Sequence, residues 1–243
     1  MTTNHIFNFS VTPQDVDFTR RITLVALGNY ILNTAGAAAT LNNFGLEKLI
    51  EENLAWVVSR LAVEMQRYPA QYEEFSIETW VEDYGKLFTT RNFKILDKEG
   101  TVIGTACSIW AIIDLTTRRP YNLHNKIEWN RFATGIGAGM EKPVKVEEIL
   151  IKKSATAYHT VAYSDIDFNQ HTNSTKYVQW FLDTLDLAKF EQKNIARFDV
   201  NYIHEARFGD KTALFCENSD EKTLCEIRNG ENKILCKIKL LWK

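Results

Sequence analysis

The chain of 243 residues contains few cysteines and prolines, and each shortage argues against a class of protein. Its four cysteines form no C-x-x-C pair and stand at no zinc-ligand spacing from a histidine. A disulfide framework and a metal site are therefore not expected, and neither is a cofactor. Only four prolines are present, so long linkers are not expected either. We expect buried thiols in a reducing compartment.

Charge of one sign and long apolar runs are also scarce. The net charge is −2 without a run of like charges, which argues against a nucleic-acid partner. No stretch approaches the ~18 apolar residues of a membrane span, and Met1–Ser10 has no apolar signal core. We expect a cytoplasmic protein without a membrane partner. Its 45% hydrophobic residues are enough to fill a core.

What the sequence does contain is two hydrophobic periodicities. A strand over Ile6–Val11 precedes an apolar helix over Ile22–Asn42, and Gly45 follows as a helix-terminating residue. A second helix, with one apolar face, is predicted over Ser174–Phe190. The remaining alternating segments predict strands. They are Ala55–Met65, Phe75–Glu82, Phe88–Leu96, Thr101–Ile113, Ala155–Tyr163, Ala196–Ile203, Thr212–Glu217, Thr223–Ile227 and Lys233–Trp242.

The order of strand, helix and several strands occurs twice, with short sequence likenesses. Asp15-Val16-Asp17-Phe18 matches Asp165-Ile166-Asp167-Phe168 at an offset of 150 residues, and Arg67-Tyr68-Pro69 resembles Arg207-Phe208-Gly209 at an offset of 140. A tandem duplication is the economical interpretation. We predict an α+β fold, the tandem or double hotdog, in which each half is a long helix wrapped by a curved antiparallel sheet. The halves are 1–115 and 149–243, with a connector over 116–148 that holds one short helix.

The densest polar stretch, Ser164–Asn173, lies between a predicted strand and the second helix. It packs carboxylates, carboxamides and an imidazole into ten residues. A strand-to-helix junction is where a rigid scaffold presents a functional site. The alternative is a polar turn with a helix cap, which Asp and Asn favour through local hydrogen bonds. We interpret Asp165 as such a capping residue.

Two segments resemble one family. Asp167-Phe168-Asn169-Gln170-His171-Thr172-Asn173, with Lys176-Tyr177 and Trp180, resembles the D-x-N-Q-H-x-N-N-x-K-Y-x-x-W signature of fatty acyl-ACP thioesterases. Tyr202–Gly209 resembles that family's Y-R-R-E-C-G region, with two extra residues before the glycine. The plant members carry a transit peptide that this chain lacks, so it resembles a bacterial form.

The resemblance implies hydrolysis of fatty acyl-ACP thioesters to free fatty acid and holo-ACP. The acyl carrier protein would then be the partner, and a homodimer is an alternative to a monomer. The family's catalytic positions fall on Asp167, Asn169, His171 and Glu205. The family's motif cysteine falls on Ala206, so a thiolate nucleophile is excluded and an activated water must attack.

The division of labour among these side chains is open. Glu205 is the favoured base, because a strand carboxylate that faces a helix start is partly desolvated. Asp167 is the alternative base, and a neutral His171 would orient the water. Asn173 is a predicted substrate-binding residue, and backbone N–H groups near it are the expected oxyanion donors.

The first copy lacks the histidine. Arg21 stands at the position of His171 and stays protonated, so we do not expect hydrolysis there. Small residues over Ala35–Ala39 leave volume beside the first sheet. We predict that the acyl chain enters this half, with Ala38 as a substrate-binding residue.

Three rivals remain at this stage: an acyl-CoA thioesterase, a hotdog hydratase or dehydratase, and a non-catalytic acyl-binding hotdog protein. A basic surface for the acidic carrier protein would favour acyl-ACP. The candidate cations are Arg118, Arg119, Lys142, Lys145, Lys152 and Lys153.

Overall fold

A long helix on an antiparallel sheet forms the first of two units in the computed structural model, which describes residues 4–149 and 154–243. The units are Met1–Pro143 and Val144–Lys243. The first contains β1 (His5–Ser10), α1 (Leu24–Leu41), α2 (Leu46–Glu51), β2 (Leu54–Met65), β3 (Glu74–Tyr84), β4 (Thr89–Asp97) and β5 (Val102–Asp114). Its strands lie side by side in the order β1-β3-β4-β5-β2. A 3₁₀ segment over Leu123–Phe132 confirms the short helix predicted in the connector.

Helix α1 packs on the sheet through its apolar face and begins at a side-chain cap. The Thr23 hydroxyl accepts the N–H of Ala26 at 3.1 Å. The helix ends at Leu41, and Asn43 takes the left-handed φ of 63°. Gly45 was therefore the wrong terminator. It caps α2 instead, where a Cβ would lie 2.8 Å from the Cα of a preceding threonine.

In the part of the chain that the structure describes, α1 also has the length and composition of a membrane span. The expectation that no segment approaches a span was therefore wrong on these two criteria. Half of α1 is buried inside the protein, as in the central helix of a globular domain.

The second unit repeats the first in topology. It contains β6 (Ala157–Thr160), α3 (Ser174–Leu182), α4 (Leu187–Gln192), β7 (Ile195–Tyr202), β8 (Lys211–Asn218), β9 (Lys222–Asn229) and β10 (Ile234–Trp242). Their order β6-β8-β9-β10-β7 matches β1-β3-β4-β5-β2 position by position. The repeat confirms the predicted tandem hotdog.

Two element boundaries in this unit differ from the prediction. The second helix is not continuous to Phe190, because Thr184 donates its hydroxyl to the Phe181 carbonyl at 2.7 Å and Asp186 caps a separate α4. The strand predicted to reach Tyr163 ends at Thr160, and a 3₁₀ turn over Tyr163–Asp165 replaces its last residues.

Candidate active site

The loop between β6 and α3 is folded around the Asp167 carboxylate. Its Oδ1 accepts the backbone N–H of Asn169 at 2.8 Å and that of His171 at 3.3 Å. The Asp167 N–H donates to the His171 carbonyl at 2.8 Å, and Gln170 takes a positive φ of 63° between them. This carboxylate therefore holds the backbone from which the imidazole projects.

The same turn exists in the first unit without the histidine. Asp17 Oδ1 accepts the N–H of Thr19 at 2.8 Å and its hydroxyl at 2.6 Å. The Asp17 N–H donates to the Arg21 carbonyl at 3.1 Å, and Arg20 has a φ of 59°. Asp17 and Asp167 therefore make the same kind of turn in the two units, and the one in the second unit holds the backbone of His171.

His171 and Glu205 meet in the second unit. Nε2 of His171 lies 3.3 Å from Oε2 of Glu205, with 15% and 43% of the two side chains exposed. Glu205 was predicted to lie on a strand, and this was wrong. It lies three residues after the end of β7. The ladder stops because the N–H groups of Ile203 and His204 both donate to the Leu235 carbonyl. The site thus has an imidazole and a carboxylate in contact at an accessible position.

Ala206 ties the Glu205 loop to the His171 loop. This fully buried residue donates its N–H to the Tyr177 hydroxyl oxygen at 2.9 Å. Its carbonyl accepts the N–H of Thr172 at 2.9 Å and the Thr172 hydroxyl at 3.1 Å. Burial raises the pKa of Tyr177, so the phenol stays protonated. The backbone of Ala206 is thus occupied by bonds within the fold.

The hydrogen bonds also correct the register of the second repeat. The Ala206 carbonyl accepts the N–H of Thr172 at 2.9 Å, and the Pro69 carbonyl accepts the N–H of Ile22 at 3.0 Å. Thr172 and Ile22 each directly precede the N-cap residue of the helix in their unit. Glu205 therefore corresponds to Tyr68, an offset of 137 residues. The predicted offset of 140 was wrong, because the sequence likeness had been aligned three residues away.

The two asparagines differ in their surroundings. Asn169 is exposed to solvent on the turn. Asn173 caps α3, since its Oδ1 accepts both the N–H and the hydroxyl of Thr175 at 3.0 Å. The Asn173 N–H donates to the Asp165 carbonyl at 2.8 Å and is therefore engaged within the fold. The expectation that other N–H groups near Asn173 bind the oxyanion stays a prediction.

Asp165 anchors the start of the loop, which confirms its interpretation as a capping residue. Its Oδ2 accepts the Ala162 N–H at 2.8 Å and contacts His159 Nε2 at 2.8 Å, while Trp180 Nε1–H donates to Oδ1 at 3.3 Å. Burial opposes ionisation, but these hydrogen bonds prevail and the pKa of Asp165 is lowered.

Sequence reasoning missed His159, although a signal for it existed. Its ring stacks on Trp180 with centroids 4.2 Å apart. At the offset of 150 residues, Phe9 packs on Tyr30 at 4.8 Å, and Tyr30 donates to the Asp15 carboxylate at 3.0 Å. Extending the repeat alignment outward from the aspartates would have paired these rings.

The residue predicted to contact the acyl chain lies inside the first unit. Ala38 is 0% exposed, and Ala35 and Ala39 are also buried. Ala37 is exposed on the other side of α1. Only part of the small-residue run therefore faces the sheet.

The cysteines lie mostly inside the two units. None of the four forms a disulfide within the described residues, and Cys107, Cys225 and Cys236 are buried. Within residues 4–149 and 154–243, no cluster of three or more histidine, cysteine or carboxylate side chains could hold a metal ion.

Several known proteins resemble this chain in sequence and in fold. A palmitoyl-ACP thioesterase from Gossypium hirsutum is 26% identical over 92% of this chain and 57% of its own length. A dodecanoyl-ACP hydrolase from Cinnamomum camphora is 29% identical over 81% of the chain and 55% of its own length. The chain thus spans little more than half of these curated relatives. The crystal structure of an acyl-ACP thioesterase from Bacteroides thetaiotaomicron superimposes with a TM-score of 0.92 at 37% identity, covering 99% of this chain and 98% of that one.

Domain models give the same result for both units. The acyl-ACP thioesterase N-terminal domain matches residues 3–128, and the acyl-ACP thioesterase C-terminal domain matches residues 149–243. The chain, with its repeated hotdog topology and its His171–Glu205 contact, belongs to the acyl-ACP thioesterase family.

Proposed function

We propose that this protein hydrolyses fatty acyl-ACP thioesters by activating a water molecule at His171 and Glu205. The observation that carries the proposal is the 3.3 Å contact between the two side chains in a loop held by Asp167. The family membership supports the substrate class, because the relatives from Gossypium and Cinnamomum are named as acyl-ACP thioesterase and hydrolase. Free fatty acid and holo-ACP are the products.

Glu205 acts as the base in this mechanism. Its carboxylate takes a proton from water as the oxygen attacks the thioester carbonyl, and His171 holds the carboxylate through Nε2–H. The tetrahedral intermediate then collapses, the C–S bond breaks, and the leaving thiolate takes the proton back. Water is the nucleophile, since Ala206 occupies the family's cysteine position. The Asn169 side chain and the Asn173 Nδ2 are the amide groups near the carbonyl oxygen in this scheme.

The first unit has a different task in the proposal. Arg21 and Tyr68 stand where the second unit has His171 and Glu205, so the first unit provides no base. We assign to it the acyl chain, at the buried side of α1 that carries Ala38. The predicted domain roles, an acyl-chain half and a catalytic half, are part of this proposal.

Cellular context completes the proposal. A role in fatty acid biosynthesis follows from release of the finished chain from its carrier. We place the reaction in the cytoplasm, because four cysteines that form no disulfide among the described residues are suited to a reducing environment. A homodimer is the alternative to a monomer, and sedimentation of the full chain would decide between them.

The described residues give little support for a preference for acyl-ACP over acyl-CoA. Lys142, one of the predicted docking cations, pairs with Glu82 at 2.7 Å and Asp83 at 3.2 Å, which reduces its attraction for an acidic partner. Lys152 and Lys153 lie outside the described residues. An acyl-CoA thioesterase is therefore the second candidate function. Comparing kcat/KM for the same acyl group on ACP and on CoA decides between them.

The mechanism is tested by point variants. His171→Ala and Glu205→Ala should each lower kcat on acyl-ACP by roughly 10²–10⁴-fold, the usual size for losing a general acid–base group. His204→Ala is the matched control, because His204 neighbours Glu205 but bonds the Ile234 carbonyl through Nδ1 at 2.8 Å. Thiol release is followed continuously. Near wild-type turnover in Glu205→Ala would show that the base is another group, and absence of turnover on every acyl thioester would favour a non-catalytic acyl-binding protein.

A further inference from the structure

The inner face of the first sheet carries a buried arginine. Arg91 shares a face of β4 with Phe93, because alternate residues of a strand point the same way. Phe93 pairs with Thr79, and Phe75 on that face of β3 packs edge-on against Tyr30 of α1 with ring centroids 5.3 Å apart. The Arg91 side chain therefore lies on the side of the sheet that α1 covers. Only 5% of the residue is exposed.

No carboxylate in the described chain lies within ion-pair distance of this guanidinium. Its one hydrogen bond runs from Nη1 to the Thr79 hydroxyl at 3.3 Å, near the limit for such a bond. A guanidinium has five N–H donors. Burial lowers the pKa of Arg91 to about 10, which still leaves the group cationic at neutral pH. A buried cation with so few partners lowers the stability of the fold unless a ligand completes its surroundings.

The other two buried cations among the described residues are paired. Arg197 donates Nε to Asp199 Oδ2 at 2.7 Å and Nη2 to Oδ1 at 2.9 Å. Lys237 lies 3.5 Å from the buried carboxylate of Glu226. In the second unit a carboxylate thus offsets the desolvation free energy of each buried cation, whereas Arg91 has no such carboxylate.

Two buried hydroxyls in the same unit also have no partner in the described chain. They are Tyr84 Oη and Thr34 Oγ1. Tyr84 ends β3 close enough to Arg91 that the cation offsets part of the rise that burial causes in its pKa. Thr34 is 1% exposed and lies on the buried face of α1, one turn before Ala38. Unsatisfied polar atoms at this depth each cost free energy and indicate a missing partner.

We propose that Arg91, Tyr84 and Thr34 bind an acceptor oxygen at the far end of the acyl chain, preferably a carboxylate and otherwise a hydroxyl or oxo group. All three side chains have N–H or O–H groups left to donate, whereas the Thr79 hydroxyl already donates to the Asn92 carbonyl at 3.0 Å. A carboxylate would also neutralise the guanidinium. The inference rests on the proposed function, because it assumes that the acyl chain enters the first unit. It changes the expected substrate from a plain hydrocarbon chain to one that is oxygenated at its far end.

Binding of blocked ligands tests this without requiring catalysis. Methyl dodecanoate, methyl 12-hydroxydodecanoate and monomethyl dodecanedioate differ only at the far end, and shorter and longer homologues extend the series. Calorimetry on the full chain should give at least about tenfold tighter binding of the carboxylate-ended ligand at one chain length, the size expected for hydrogen bonds to a charged group. Arg91→Met should abolish that preference while keeping the affinity for the plain ester. Equal or weaker binding of the oxygenated ligands at every length would overturn the inference.

Stability provides a second, independent readout. If Arg91 and Thr34 serve a ligand, then Arg91→Met and the near-isosteric Thr34→Val should raise the melting temperature of the ligand-free protein by several degrees. Lower melting temperatures with an unchanged ligand preference would show that both are structural. If Arg91→Met does not fold, Thr34→Val still has to weaken the preference several-fold.

The proposed function and this inference fail separately. A protein that prefers the oxygenated esters but hydrolyses no acyl thioester refutes the proposed function alone. A protein that hydrolyses acyl-ACP and shows no such preference refutes this inference alone.

Discussion

Replacing Asp167 by asparagine and by alanine separates a positioning carboxylate from a catalytic one. The Asp167 Oδ1 accepts two backbone N–H groups, at 2.8 and 3.3 Å, and the second belongs to His171. An asparagine keeps an acceptor oxygen at this place, whereas an alanine removes it. A positioning role therefore predicts that Asp167→Asn is mild and Asp167→Ala severe.

The size of the effect follows from these bonds. A good hydrogen bond to a carboxylate contributes about 1.5–3 kcal/mol, and the longer one contributes less. Losing roughly 2 kcal/mol of loop stability in Asp167→Ala corresponds to about a 30-fold fall in kcat if His171 must be held for turnover. Asp167→Asn exchanges charged for neutral acceptor bonds, at a cost of about 1 kcal/mol, and kcat should fall by roughly 5-fold.

Steady-state hydrolysis of acyl-ACP measures both variants, with urea unfolding alongside. Asp17→Ala is the matched control, because Asp17 builds the same turn in the first unit through bonds of 2.8 and 2.6 Å to Thr19. It should lose comparable stability and keep kcat close to wild type. If Asp167→Asn fell by 10²–10⁴-fold, as Asp167→Ala would for a general base, the positioning role would be refuted.

Three further predictions concern other parts of the chain. Because hydrogen bonds lower the pKa of Asp165 below 3.8, its stabilisation is present above that pH and lost as the pH falls through the lower folded value; urea unfolding should show the deficit of Asp165→Asn at neutral pH shrinking in acid, and a constant deficit would contradict this. Ala38→Leu should shift kcat/KM toward shorter acyl chains, by about 0.8 kcal/mol per excluded methylene, whereas exposed Ala37→Leu should leave the chain-length profile unchanged. Alkylation of the folded protein should leave turnover intact, and mass spectrometry that trapped an acyl group on any residue would rule out direct attack by water.

Much of the fold followed from periodicity, and the errors came from side chains that bond to the backbone. The strand pattern located β2–β5 and β7–β10 to within one or two residues at each end. Helix α3 was predicted too long, since apolar residues continue in register past Leu182 while the Thr184 hydroxyl and the Asp186 cap redirect the chain. Local hydrogen bonding of this kind competes with the helix and leaves the hydrophobic period unchanged.

The residues of the candidate site could be predicted from the sequence, but the contact between them could not. The motif resemblance named His171 and Glu205, and the structure brings them into contact across two loops. Composition and spacing contain no information on such a distance, so only the resemblance could supply it. For Arg91 the strand periodicity was informative, because it marks the side chain as inward-facing. The periodicity could not show that no carboxylate lies beside the guanidinium.

The repeated turn means that this loop can fold without the histidine and the glutamate that are proposed to carry the reaction. In the first unit the corresponding backbone hydrogen bonds form with Thr19, Arg21 and Tyr68 in the places of Asn169, His171 and Glu205. The side chains that fold this loop therefore differ from those proposed to carry the reaction. Substitutions at the positions of Asn169, His171 and Glu205 should cost little folding free energy, so the first unit can keep the loop while serving the separate task proposed for it.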